Sequence, residues 1–266
     1  QSLNDPILKL NRRGHDIQKT ISATKLLKDA GFKINYHMMP GLPGSNSKKD
    51  IRMFQELFSN PDFQPDMLKI YPTVVTKNTK LHSMWKNKKY KPLTDKNFKK
   101  LILEIKNNLI PPYVRIARLV RDVPEVSIIA GPKISNLRQL IEKESHCQCI
   151  RCREVKSEYT LGENIVLDRI DYDASGGKEI FLQYVSPDPP RVDERSSPRV
   201  EAGKKKLFAL LRLRIPQKNN SEHFIPVLKN AALIREVHTY GKMSGIDKQD
   251  AASPQHIGLG KKLLLE

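Results

Sequence analysis

Residues 16–45 read DIQKTISATKLLKDAGFKINYHMMPGLPGS, and this stretch decides the fold. Ile17, Ile21, Leu27 and Ala30 recur near one face at helical spacing, and Gly31 supplies a C-terminal stop. Phe32, Ile34, Tyr36 and Met38 then alternate as a half-buried strand would. A Gly- and Pro-rich turn follows, and Ser47 with Asp50 predicts a capping box for a helix that carries Ile51, Phe54, Leu57 and Phe58. Helix, strand, turn and helix in that order make the unit of an α/β layer with parallel strands.

The unit repeats downstream. MLKIYPTVV (67–75) reads as a strand, TDKNFKKLILEIKNN (94–108) as a helix with Phe98, Leu101, Ile102 and Ile105 on one face, and YVRIARLV (113–120) as another strand. NLRQLIEKE is a short helix leading to CQCIRCREV, which holds all three cysteines of the chain. Beyond it the grammar changes to strands without helices between them: KEIFLQY, LFALLRLRI and AALIREVHTY. That predicts a second, α+β unit, with residues 186–206, rich in Pro, Ser and charge, as an exposed loop. No internal repeat recurs at a fixed period.

The 266 residues suffice for one large or two ordinary domains. Lys and Arg number 47 against 29 Asp and Glu, a net charge of +18, which favours a polyanionic partner, nucleic acid first; a solvated basic surface is the alternative. No apolar run approaches the ~18 residues of a membrane span and QSLNDP has no signal-peptide pattern, so a cytoplasmic protein is expected. Gln1 and the closing KKLLLE suggest that both ends are cut, or that only ordered residues are given.

Four stretches carry chemistry. Cys147, Cys149 and Cys152 bring three sulfurs within reach of one tetrahedral ion, zinc first; the fourth ligand must be a His, a carboxylate or water, with His146 and His238 as the nearest candidates. Three unligated thiols on a loop are the alternative. In QHIGLGKK, Gln255, Gly258 and Gly260 open a helix after the strand REVHTYG, an arrangement suited to receiving a pyrophosphate on backbone N–H groups, with Lys261 and Lys262 adding charge. HMMPGLPG ends a strand at the carboxyl edge of a sheet, where α/β folds place their sites. Lys86, Lys88, Lys89 and Lys91, interleaved with Trp85 and Tyr90, and Arg115, Arg118 and Arg121 could hold phosphates while rings stack on bases; a solvated charged face is the default for the lysines.

Together these motifs resemble one family: the catalytic subunit of Elongator and its stand-alone archaeal relatives, the radical S-adenosylmethionine tRNA uridine acetyltransferases. The resemblance rests on residues 11–45, on MLKIYPTVV, VRIARLVRDVP, CQCIRCREV, YDASGGKEIFLQY, LLRLRIP, REVHTYG and QHIGLGKKLL, in that order. It implies an α/β plus α+β chain: residues 1–140 as the later part of a radical-SAM partial (β/α) barrel, 141–165 as a zinc-binding linker, and 166–266 as the first part of a GCN5-type acetyltransferase domain.

The implied function is attachment of an acetyl-CoA-derived carboxymethyl group to carbon 5 of the wobble uridine of tRNA, by a radical made from S-adenosylmethionine on a 4Fe–4S cluster. The cluster's cysteines have a longer spacing in the family and are absent from this chain, so Cys147, Cys149 and Cys152 are expected to be a structural clip. The resemblance implies acetyl-CoA contacts at Glu236, Val237, His238 and Thr239 and at Gln255, His256, Ile257, Gly258, Leu259, Gly260, Lys261 and Lys262. It places His37, Gly41 and Gly44 near S-adenosylmethionine, and the Lys86–Lys91 run with Arg115, Arg118 and Arg121 on the anticodon region of tRNA. Accessory Elongator-type subunits or a second copy of the chain are the implied protein partners. The rival readings are a protein lysine acetyltransferase and a non-catalytic tRNA-binding scaffold.

Overall fold

The computed structural model describes residues 1–120, 123–156, 162–187, 205–217, 223–242 and 257–266. Its elements run α1 (Asp5–Leu10), α2 (Ile17–Asp29), β1 (Asn35–Met38), α3 (Ser47–Ser59), β2 (Met67–Ile70), β3 (Val75–Thr76), α4 (Lys80–Lys86), α5 (Asp95–Asn108), β4 (Arg115–Arg118), β5 (Ile128–Ala130), α6 (Leu137–Leu140) and α7 (Ile150–Arg153). After these come β6 (Val166–Ala174), β7 (Gly177–Val185), β8 (Leu207–Pro216), β9 (Leu233–Thr239) and α8 (Leu259–Leu265).

The first half forms a parallel sheet in the order β1-β2-β4 and a small antiparallel pair β3-β5. Helices α3 and α5 cover one face, burying Phe54, Leu57, Phe98, Leu101, Ile102 and Ile105 against Leu68, Ile70 and Ile116. Residues of opposite parity, Asn35, His37, Met67, Lys69 and Arg115, lie on the other face; register places His37 beside Lys69, and a register shift between Leu68 and Lys69 brings Lys69 beside Arg118.

The second half is a four-stranded antiparallel sheet, β6-β7-β8-β9, with α8 packed on β7, β8 and β9 through Leu259 and Leu263. It meets the parallel sheet at the amino ends of β1, β2 and β4. Lys33, Asp66, Tyr113 and Arg115 touch Glu236, Arg235, Tyr172 and Tyr240 there. The apolar core is continuous across the junction, from Phe98 and Ile105 past Cys147, Cys149 and Ile150 to Phe181 and Phe208.

Several local expectations are corrected. The residue that caps α3 is Asn46, whose side chain accepts from the Lys49 N–H, while Asp50 instead accepts from the Gly41 N–H and the Ser45 hydroxyl. The strand expected over 67–75 is cut in two, because Pro72 has no N–H for a ladder and the Thr73 N–H turns to the Pro40 carbonyl. Phe32 and Leu27 are exposed, and the residues that α2 buries are Thr24, Lys28 and Asp29. β6 carries a nine-residue strand with a largely exposed charged face, which masks its periodicity.

Candidate functional site

The cysteine segment is held from both sides by main-chain bonds. The Ile150 N–H donates to the Val114 carbonyl beside β4, and the Val155 N–H donates to the Leu207 carbonyl at the start of β8. Cys149 caps the single turn α7, and the Cys152 N–H closes that turn on the Cys149 carbonyl. Cys147 and Cys149 are fully buried, Cys152 is half-buried, and no disulfide links them.

The three sulfurs lie within 4.8 Å of one another. A tetrahedral ion with metal–sulfur bonds of ~2.3 Å sets its sulfurs roughly 3.8 Å apart, so the donor set fits a thiophilic ion such as zinc. Buried Lys106 donates to Cys152 Sγ at 3.3 Å and Arg138 approaches it at 3.9 Å. Bonds from the neighbouring thiols, aided by Lys106, hold the Cys152 thiol well below its usual range despite burial. Bonds with Cys149 and Cys152 push the Cys147 thiol up. Among the described residues no histidine or carboxylate joins the triad, so neither His146 nor His238 stands beside it, and water is the remaining option there. His146 is exposed with its N–H on Asn107, and His238 packs against Tyr240.

β9, the strand expected to hold the pantetheine arm, is an edge of its sheet. Register against β8 jumps from Arg212↔Glu236 to Leu213↔Ile234, so Arg235 is the extra residue of a β-bulge beside Glu236–Thr239. Val237 and His238 are exposed at the edge, and the partial loss of solvent where the His238 ring packs on Tyr240 lowers its imidazole from the ordinary value. Gly258 starts α8 at φ +76° with open space where a Cβ would be, and a Cβ on Gly260 would sit 3.5 Å from Thr239 Cγ2. Gly260 therefore lies next to the end of β9, with Ile257 partly buried and Lys261 and Lys262 exposed. Gln255 and His256 lie outside the described residues.

The remaining candidates separate. His37 lies near the end of β1, exposed, edge-on to Tyr71 at 4.4 Å. Gly41 is buried, its N–H on Asp50 and its carbonyl accepting from Tyr90 Oη at 2.7 Å, while Gly44 turns the chain at φ +88° against Leu10. Lys86, Lys88, Lys89 and Lys91 are exposed after α4, but Tyr90 is buried and offers no ring to a base, which corrects that expectation. Trp85 stacks on His82 at 5.9 Å. Arg115 is committed to Glu154 at 2.6 Å and to Tyr240, so it serves the junction rather than a free surface. Arg118 is exposed, and Arg121 lies outside the described residues.

Sequence reasoning missed the ionic cluster at the junction, where Lys28, Arg212, Arg214 and Arg235 meet Asp29, Asp66, Glu179 and Glu236. Four cations balance four carboxylates. Burial opposes ionisation of Asp66, but Lys28 and Arg235 outweigh it and hold the carboxyl far below its ordinary range. The signal was present in LLRLRIP, where Arg212 and Arg214 share one face of a strand otherwise made of core residues.

Residues 65–146 match the radical SAM C-terminal domain, so the fold of the parallel-sheet half is related to that of radical SAM proteins. The whole chain is 42% identical over 278 positions to the tRNA uridine(34) acetyltransferase of Dehalococcoides mccartyi, covering 56% of that protein. It is 41% identical over 278 positions to the Methanocaldococcus jannaschii protein of the same name, covering 48% of it. It is 34% identical over 276 positions to human Elongator complex protein 3, covering 47% of it. A solved structure of Methanocaldococcus infernus Elp3 with an N-terminal deletion superposes with a TM-score of 0.79 at 39% identity, over all of this chain and 61% of that one. The chain is similar along its whole length to these tRNA uridine(34) acetyltransferases and Elongator complex protein 3 chains, and it spans about half the length of the curated relatives it matches.

Proposed function

We propose that this chain is part of a tRNA wobble-uridine modifying enzyme that attaches an acetyl-CoA-derived carboxymethyl group to carbon 5 of the base. The observation that carries this reading is identity of 40–42% along the entire chain to proteins named tRNA uridine(34) acetyltransferase, on a fold that joins both halves through one core.

In this reading residues 1–140 are barrel, 141–165 a zinc-binding linker and 166–266 acetyltransferase-like. S-adenosylmethionine with its iron–sulfur cluster supplies the radical chemistry when bound, and the cluster's thiolates come from residues other than these. The three cysteines present hold zinc, with Lys106 and Arg138 offsetting the excess negative charge of three thiolates. The edge of β9 offers main-chain groups to the pantetheine arm, while Gly258 to Lys262 face the pyrophosphate. The net charge of +18 suits tRNA, whose unstacked anticodon bases are open to readout.

No helix among the described residues is long and apolar enough to cross a membrane, and we assign the protein to the cytoplasm alongside its tRNA. Accessory subunits or a second copy are further partners in this reading.

The deciding experiment is acetyl-CoA hydrolysis by the full-length protein with and without tRNA. Stimulation by tRNA supports the reading. A tRNA-independent rate with transfer to a lysine peptide would replace it with protein acetylation.

A further inference from the structure

A cleft of about 290 Å³ opens beside Cys152 between the two halves of the molecule. Seven of its twelve lining residues are Lys or Arg, against two glutamates. The cations come from four places in the sequence: Lys106 from α5, Arg138 from α6, Arg151 and Lys156 around α7, and Lys205 and Lys206 at the entry to β8. Of the carboxylates, Glu154 is already shared by Arg115 at 2.6 Å and Arg151 at 3.1 Å. Lys206 reaches out to Glu163 at 2.9 Å, and Arg153 is tied away by Gln148, Pro112 and Gln183.

Like charges gathered in a concavity repel one another, and a low-dielectric wall concentrates their field. The three thiols behind the wall offset part of that charge through Lys106 and Arg138. They leave the rim pair Arg151 and Lys156, both exposed, pointing the field at solvent. A rim of guanidinium and ammonium donors around a positive floor is the chemistry that binds phosphate oxygens. Because the donors extend from α7 across to the start of β8, they track a chain of phosphates better than one small ion.

We infer that this cleft is a phosphate subsite that takes the sugar–phosphate backbone of tRNA at the junction of the two halves. The inference rests on the tRNA reading above. It is separate from the Lys86–Lys91 run, and it makes the cysteine segment a platform for RNA as well as a clip.

The test is tRNA binding by the full-length protein across a salt titration, comparing wild type with the Arg151→Glu/Lys156→Glu double variant and its milder Arg151→Gln/Lys156→Gln counterpart. Thermal midpoint and zinc content of each variant control for folding. The expected result is about a tenfold loss of tRNA affinity in the double variant, a smaller loss in the Gln variant, and a salt slope reduced by about one to two. Inorganic pyrophosphate, titrated in parallel, distinguishes a small-anion site. Wild-type tRNA binding that both variants retain, with the same slope, overturns the inference and leaves the proposed function standing. Pyrophosphate binding lost in the variants while tRNA binding is kept also overturns it. A wild-type protein that does not bind tRNA overturns the proposed function, and the subsite's occupant with it.

Discussion

Arg235 on β9 clasps both carboxylate oxygens of Asp66 at the head of β2, at 2.9 and 2.7 Å, across 169 positions of sequence. The same guanidinium reaches Glu179 and the Phe32 carbonyl, so its donors are fully occupied. As the bulged residue of an edge strand, Arg235 fixes the path of β9 from the far side of the junction.

Asp66→Asn is expected to lower the stability of the folded chain by about 3–5 kcal/mol, because it leaves buried cations without their counter-charge. Denaturant unfolding measures this. Lys28→Met is the contrasting case, since the Lys28 ammonium is fully buried, with carboxylates no nearer than 3.6 Å and no hydrogen bond. Its loss is expected to cost less than Asp66→Asn, about 1–3 kcal/mol, because it removes a counter-charge of Asp66 but breaks no hydrogen bond, and the three guanidiniums remain.

The junction makes stability sensitive to acid. Asp66 and Glu236 are both held below their ordinary values: burial opposes ionisation, and Lys28 and Arg235 for Asp66, and Arg212 and Lys33 for Glu236, outweigh it. A carboxyl depressed in the folded state stabilises the protein above its unfolded value of about 4, and that contribution is lost as pH falls further. Midpoints measured from pH 7 to pH 3 are expected to fall steeply below about 4.5. Asp66→Asn is expected to flatten this fall.

Cys152→Ser is expected to abolish tight zinc binding, and Lys106→Met to weaken it about 10-fold or more while the fold persists. Metal content after dialysis against a chelator, and cobalt absorption in the thiolate charge-transfer region, measure both. Equal zinc retention in Lys106→Met would remove the charge-balancing role of the lysine.

Gly44→Ala is expected to destabilise the turn after β1 by about 1 kcal/mol or more. It combines φ +88° with a Cβ placed 2.9 Å from Leu10 Cδ2. Tyr90→Phe removes only the bond to the Gly41 carbonyl and is expected to cost about 1 kcal/mol with unchanged tRNA affinity. Thermal melts and a binding titration check the pair.

The parallel sheet was legible because Phe54, Leu57, Phe98, Ile102 and Ile105 keep helical spacing over long windows, and all five are buried. The cysteine triad was legible because local spacing alone sets how near its sulfurs can come. The junction was not. Lys28 and Asp29 look like a solvated helix end until β8 supplies Arg214 from 185 positions away, so no window along the chain contains both partners. Arg115 was misassigned for the same reason: its partners Glu154 and Tyr240 lie on other elements. Tyr90 sits among exposed lysines, and only the fold turns its ring inward.

The paired main-chain bonds of the cysteine segment, Ile150 to Val114 and Val155 to Leu207, bear on biosynthesis. During synthesis the first of these closes within a short span of chain, so the barrel half and its thiols are ready while β8 and β9 are still inside the ribosome. The second bond then gives the late-emerging strands a fixed edge to dock on. Assembly of this protein is thus expected to be vectorial, and conditions that delay filling of the thiol site should lower the yield of folded protein through aggregation of β8, more than they lower the stability of molecules already complete.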